Sequence, residues 1–212
     1  MSDYGKSVEW PSPPAVLLEF HGITQHLHRR SARARDCPLT SSNFIRITKE
    51  LKNKDQYSQV LFSGFVRMLN WFNNTKDRAL LITDKHIYRL EPKKHFKVQK
   101  RIPIDTVNSL SVTSGADQMV ALHTASQEDV LVFLQRGQLG PTLDRVGELV
   151  GNLCDHFTRV RKTNLPVKVC SRGLQVNISG KPKTITVETR PGQNMADFKK
   201  SRGGFTLLLP PS

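Results

Sequence analysis

Cysteine and acidic residues are both scarce in this sequence. Its three cysteines, Cys37, Cys154 and Cys170, are odd in number and show no CxxC spacing. That excludes a disulfide framework and a thiolate zinc site, and it leaves reduced thiols. No apolar run approaches the roughly 20 residues that a membrane-spanning helix requires. The opening MSDYGKSVEW has no apolar signal-peptide core. Such a chain would meet a membrane by lying on it. There is no GxxxxGK[ST] phosphate loop and no Ser, Cys or Lys in a nucleophile motif. Carboxylates such as Asp105, Asp117 and Asp144 are scattered and read as turn or cap residues. His21, His26 and His28 with Asp36 stand among arginines that would repel a metal ion. The expectation is a chain without catalysis, cofactor or metal.

What remains is positive charge. The 32 Lys+Arg against 18 Asp+Glu give a net charge of +14, so a polyanionic partner is expected: nucleic acid or an anionic membrane leaflet. The sequence has no zinc-finger, KH or RNP pattern, and its aromatics are not spaced as a base-stacking platform. A lipid surface is the better match, and no nucleic acid is expected.

Along the chain, the prolines of GKSVEWPSPP make an extended lead-in. Residues 15–35 place Val16, Phe20, Ile23 and Leu27 at helical spacing and then turn basic at Arg29, Arg30, Arg33 and Arg35. Asp36-Cys37-Pro38 breaks the pattern, and Ser41-Ser42-Asn43 offers caps for a short helical or irregular segment through Asp55. From Gln59 the period changes. SQVLFSGFVRMLNWF, bending at Gly64, is followed by RALLIT, HIYRLEP, FKVQKRIPI, TVNSLSVT, QMVALHTA and EDVLVFLQ, each closed by turn residues. Seven short strands at this spacing form an antiparallel barrel or sandwich.

After Gly140-Pro141, the residues Leu143, Val146, Leu149, Val150, Leu153, Phe157 and Val160 share one helical face. VKVCS, LQVNIS, TITVETR and FTLLLP then read as a small appended sheet. Three parts result: a lead-in and basic helix at 1–56, a barrel with capping helix at 57–163, and a β-rich remainder at 164–212.

Seven strands and one amphipathic helix are the order of a pleckstrin-homology fold, in which the helix plugs one end of a bent barrel. Arg67 on the first strand faces Lys76 and Arg78 at the start of the second. Side chains alternate with period two, so Lys76 and Arg78 share a side, and Arg67 is expected to meet them across the hairpin. Guanidinium forks and an ammonium suit a phosphorylated headgroup. The simpler reading is a solvated charged hairpin. Trp71 and Phe72 near the tip fit either a membrane wedge or the core.

The segments KDQYSQVLFSGFVRMLNWFNNTKDRALLITDKHIYRLEP, TVNSLSVTSGADQMVALHT, RVGELVGNL and ETRPGQNMADFKKSRGGFTLLLPPS resemble the first tail homology domain of class I myosins, most of all the short-tailed Id/Ig subgroup. YGKSVEWPSPPAVL resembles the stretch just after the neck. The resemblance implies a mainly β domain with α: a pleckstrin-homology-like seven-stranded bent barrel capped by a C-terminal helix, with an N-terminal helix and an appended small β-sheet. It implies binding to phosphatidylinositol bisphosphate and phosphatidylserine, linking an actin-based motor to membrane. Headgroup contacts fall on Arg67 and Arg78, with Lys76 completing the basic pattern. Between about Phe20 and Asn43 the chain is shorter than that family's pattern, and it has no intact IQ motif. ATP and actin are expected to be reached only through a motor head that these residues do not form.

Lys93, Lys94, Lys97, Lys100 and Arg101 lie together without an intervening acid and, with Arg29, Arg30, Arg33 and Arg35, are expected to make secondary contacts with an anionic surface. Arg159, Arg161 and Lys162 end the long helix, and Lys199, Lys200 and Arg202 precede the last strand. The alternative to lipid binding is a protein-interaction module on the same fold, holding a peptide, or calmodulin at the N-terminal basic helix. The implied location is the cytoplasmic face of the plasma membrane, as a peripheral protein, and also endosomal membranes.

Overall fold

The computed structural model describes residues 41–69, 75–113, 118–126, 128–134, 145–171, 173–192 and 197–209. The basic helix at 15–35 with Arg29, Arg30, Arg33 and Arg35, the histidines beside it, Trp71, Phe72, Pro141 and Leu143 lie outside the described residues. So do Asp117 and Asp144.

Several strands are apolar runs because they are buried on both faces. In chain order the elements are α1 (Ser42–Asp55), β1 (Val60–Leu69), β2 (Thr75–Thr83), β3 (His86–Glu91), β4 (Lys97–Pro103), β5 (Val107–Thr113), β6 (Met119–Thr124) and β7 (Val130–Phe133). Then come α2 (Val146–Arg161), β8 (Val167–Cys170), β9 (Gly173–Ile178), β10 (Lys181–Thr189), β11 (Asp197–Ser201) and β12 (Gly204–Leu209). The domain is mainly β with two helices among the described residues. Its larger sheet has eight strands in the order β4-β3-β2-β1-β7-β6-β5-β8 and does not close on itself. Its smaller sheet has four, in the order β11-β12-β10-β9.

One face of the large sheet curls round a single core, to which β1, β2, β3, β5, β6 and β7 contribute Val66, Leu80, Ile87, Leu110, Leu122 and Val132. Helix α2 fills that core with Leu149, Leu153 and Phe157, as the apolar stripe predicts. Val160 departs from the stripe: at the last turn it is 67% exposed. Polar contacts fix the helix in place. Arg145 lies with its guanidinium 4.5 Å above the Phe62 ring and donates to the Ser63 carbonyl at 3.0 Å. Asn152 donates to the Leu61 carbonyl at 2.7 Å, and Arg161 donates to the Val107 carbonyl at 3.0 Å. Arg161 is thus a structural residue.

Gly64 belongs to this arrangement. It pairs with Leu80 in a continuous run, and the register irregularity of β1 falls at Val60–Phe62 instead. A Cβ at Gly64 would stand 2.6 Å from the Arg145 guanidinium, so the glycine supplies room rather than a bend.

The other face of the sheet is covered twice. Helix α1 is apolar at Phe44, Ile47 and Leu51, and these pack with Tyr57 on Ala79, Leu81, Tyr88 and Leu90 of β2 and β3. The small sheet packs Leu174, Val176, Ile185, Phe205 and Leu207 on Met119, Ala121, Leu131 and Phe133 of β6 and β7. This double burial explains why β2, β6 and β7 show no clean alternation. VKVCS, expected in the small sheet, instead pairs in parallel with β5 as the eighth strand of the large one. DFKKS, read only as a charged approach to the last strand, is β11. Strands β10 and β12 run parallel and close: a Cβ at Gly204 would lie 1.8 Å from the Thr184 carbonyl oxygen.

A buried carboxylate ties the two sheets together. Asp129, in the β6–β7 turn, accepts hydrogen bonds from the Thr124 amide at 3.1 Å and from the Asn177 amide of β9 at 2.8 Å. Its Oδ2 also lies 2.9 Å from His123 Nδ1, and His123 Nε2 lies 2.7 Å from Ser111 Oγ. Burial alone would raise the Asp129 pKa, but hydrogen bonds from His123, Asn177 and Thr124 outweigh it and hold the carboxyl below the ordinary range. The carboxylate form therefore stabilises the fold above the unfolded-state pKa of about 3.9, and that contribution is lost as pH falls through the lower folded value. Burial, reinforced by a nearby arginine in each case, also lowers the pKa of His86 and His156. Below about pH 6.5 the unfolded chain takes up protons that these rings resist, and stability declines.

Urea denaturation of the wild type and Asp129→Asn across pH checks both effects. The variant is expected to be weaker by about 1–3 kcal/mol at neutral pH. The decline below about pH 6.5 should be common to both proteins, and the gap between them should narrow only below about pH 4. A gap that stays constant into strong acid contradicts the assignment.

Candidate anion-binding mouth

One end of the curled sheet gathers the end of β1, the start of β2, the β3–β4 connection and the β6–β7 turn, because β1 runs antiparallel to both β2 and β7. The sequence-predicted cations on β1 and β2 stand at this end.

The register does not bring all three together. Arg67 pairs with Asp77, their charged groups 3.8 Å apart, while Lys76 pairs with Met68 and Arg78 with Val66. Alternation then puts Lys76 and Arg78 on the inner face with Leu80 and Ile82, and Arg67 on the outer face between Phe65 and Leu69. The hairpin joins Lys76 to Arg78 and separates both from Arg67. Lys76 is exposed; the Arg78 side chain is only 12% exposed.

Two further cations share the inner face, and one of them, Arg89, was missed from sequence. Arg89 of β3 sits opposite Leu80 of β2, and Lys100 of β4, read earlier as a surface contact, sits opposite Arg89. Arg89 Nε is buried with no hydrogen-bond partner among the described residues. Burial holds the Arg89 pKa below the usual arginine range, while the Glu128 carboxylate pulls it up and the Arg78 cation pushes it down. The signal in the sequence was an arginine two residues after core-facing Ile87 in a strand apolar on both sides.

Carboxylates, too, converge from distant segments. Glu91 lies 4.0 Å from Arg78 and 3.5 Å from Lys94 Nζ, and accepts a hydrogen bond from Gln99. Glu128, in the β6–β7 turn, is ion-paired to Lys100. Arg101 is bound to the buried carboxylate of Asp55 at 2.6 Å, which also accepts from the Tyr88 hydroxyl at 2.5 Å. Arg101 thereby pins α1 to the sheet. The run at 93–101, free of acids in sequence, is partly neutralised in space; Lys93 and Lys97 are its exposed members outside these ion pairs. Lys100 and Glu128 also border an open cleft of about 470 Å³ between β4 and the β9–β10 turn, which Arg101, Ser179 and Gly180 line as well.

Inward-facing cations on three adjoining strands, interleaved with carboxylates, can hold a multiply charged anion by charge and hydrogen bonding. Residues 32–205 match the family described as the unconventional myosin tail, actin- and lipid-binding. The chain belongs to that family.

Human unconventional myosin-Id is 38% identical over an alignment 256 residues long, gaps included, covering 99% of this chain and 25% of that protein. Human unconventional myosin-Ig is 38% identical over 253, covering 98% and 24%. Zebrafish unconventional myosin-Id is 35% identical over 253. The chain spans about a quarter of the length of the curated relatives it matches. The class I myosin tail resemblance is therefore shown; the match is to the tail and not to the motor head, and the tail domain is not itself an enzyme. Actin, assigned from sequence to a motor head alone, stands in the family description of the tail. Among solved structures, the hSac2 domain of the human phosphoinositide phosphatase Sac2 overlays with a TM-score of 0.43 at 13% identity, over 62% of this chain and 92% of that one. So distant a likeness bears on neither fold nor function. No described helix of this myosin tail is long and apolar enough to cross a membrane.

Proposed function

We propose that this tail domain has a pleckstrin-homology-like fold and docks on anionic membrane through the mouth of the curled sheet, taking a phosphoinositide headgroup there and so linking an actin-based motor to the membrane. The observation that carries this reading is the row of inward-facing cations at one end of the sheet, Lys76 and Arg78 on β2 with Arg89 and Lys100 beside them. Lys76 and Arg78 are the primary phosphate contacts. Arg67, on the outer face beside Asp77, adds charge at the rim. The domain is peripheral on the cytoplasmic face of the plasma membrane and on endosomal membranes.

Part of the affinity is delocalised. Lys93 and Lys97 are exposed near the mouth, and the sequence supplies further cations at Arg29, Arg30, Arg33 and Arg35. Each cation near an anionic leaflet contributes about 1 kcal/mol. Binding to phosphatidylserine vesicles should persist without phosphoinositide and weaken steeply between low and physiological salt, as contacts screened over about 8–10 Å do. Addition of phosphatidylinositol bisphosphate should restore binding at physiological salt. Co-sedimentation across salt, with phosphatidylcholine vesicles as the blank, checks this. Binding indifferent to salt, or no gain from the bisphosphate, argues against the reading.

A further inference from the structure

We infer that the mouth contains a second, inner phosphate seat, formed by Arg89 and Lys100 and filled in the unliganded domain by the Glu128 carboxylate acting as an internal counter-ion. The inference rests on the headgroup reading above and adds to it a site and a threshold. Arg89 is directly opposite Lys100, and its Nε is buried with no hydrogen-bond partner among the described residues. An arginine in this position keeps one donor unused. Arg78 stands on the neighbouring strand as a like charge. Such a concentration of cations on an inner face needs a compensating anion. Glu128 supplies it from the β6–β7 turn, ion-paired to Lys100 and attracting Arg89.

Glu128 can leave. Its side chain is 41% exposed and borders the cleft of about 470 Å³ between β4 and the β9–β10 turn. A single carboxylate carries one charge and two oxygens. A phosphomonoester carries about −1.5 to −2 and three acceptor oxygens, so it can displace the carboxylate. A singly charged phosphodiester, as in phosphatidylserine, gains little by doing so. Glu128 therefore sets a threshold that favours multiply phosphorylated headgroups, a matter of differential affinity rather than of total charge.

The test compares the wild-type chain with E128Q, R89K and R89K/E128Q, using free inositol trisphosphate by calorimetry. The same proteins are then tested on phosphatidylcholine vesicles carrying either phosphatidylinositol bisphosphate or phosphatidylserine. Glu188→Gln is the charge-matched control, since Glu188 is exposed at the end of β10 remote from the β9–β10 turn. Removing Glu128 should tighten inositol trisphosphate and bisphosphate vesicles by about three- to tenfold, the scale of one charge-assisted hydrogen bond gained in place of an ion pair. Phosphatidylserine binding and all Glu188→Gln values should stay within about twofold. The gain should vanish in R89K/E128Q, because lysine lacks the Nε donor and the fork. Thermal melting shows whether R89K is folded; if it is not, E128Q against Glu188→Gln decides alone. Equal gains from the two glutamate changes, a gain of the same size on phosphatidylserine, or a gain that survives R89K overturns the inner seat. A wild type that binds no phosphoinositide defeats the headgroup reading itself, and tightening of free inositol trisphosphate by E128Q still reports on the seat separately.

Discussion

Leu153→Asp is expected to unfold this domain or to leave it barely stable. Leu153 is fully buried where α2 enters the core enclosed by the large sheet, beside Leu149 and Phe157. Loss of a buried leucine side chain alone costs about 2–5 kcal/mol. Aspartate adds the desolvation of a carboxylate with no partner in an apolar cluster, which drives it to the neutral form or opens the structure. The sum is a large share of the roughly 5–15 kcal/mol that holds a typical domain together. Lipid binding is then lost through unfolding, not through a missing contact. Thermal and urea denaturation beside the wild type check this. A melting curve that does not shift shows that the stripe on α2 is a docking face rather than core.

The Lys76→Ala/Arg78→Ala double variant is expected to lose about 2–5 kcal/mol of affinity for bisphosphate-containing vesicles, taking charge-assisted contacts at roughly 1.5–3 kcal/mol each and allowing for non-additivity. Arg67→Ala should lose less than about 1 kcal/mol, because Arg67 lies on the opposite face of the sheet, largely buried and 3.8 Å from Asp77, and acts on the mouth only through its charge. This ordering follows from register alone. Arg78 is nearly buried and lies 4.0 Å from Glu91, so the double variant must be shown to melt near the wild type before its affinity is read. An Arg67 effect equal to that of the pair would mean that the β1–β2 hairpin is regrouped when it meets lipid.

How far the sequence could be read depended on whether the deciding contacts were local. Strands bounded by turns, and a helix with apolar residues at Leu149, Leu153 and Phe157, announce themselves because their pattern is written in consecutive residues. Strand β11 did not, since among Asp197–Ser201 only Phe198 packs against the core and the lysines mask the alternation. VKVCS was placed in the wrong sheet because a parallel partner as distant as β5 leaves no trace in neighbouring residues.

The site was harder for the same reason. Lys76 and Arg78 sharing a face is a matter of period two and was legible. The separation of Arg67 from them depends on which residue it pairs with, and a shift of one position reverses every side chain. The acids were invisible in the run at 93–101 because Asp55, Glu91 and Glu128 come from outside it. Counting cations along a sequence therefore overstated the free charge at the mouth. Arg89 gives no local sign of its role, because it stands between Tyr88 and Leu90 in a short strand whose other central residues are apolar.

The central claim is that the inner-face cations at one end of the large sheet are where a phosphorylated headgroup binds. The most direct measurement is an amide and side-chain NMR titration of the whole chain with free inositol trisphosphate. The account predicts saturable shifts concentrated at Lys76, Arg78, Arg89, Lys100 and Glu128, with the β11 residues Lys199 and Lys200 unmoved. Shifts centred on the small sheet, or spread evenly over the basic surface without saturation, would contradict it.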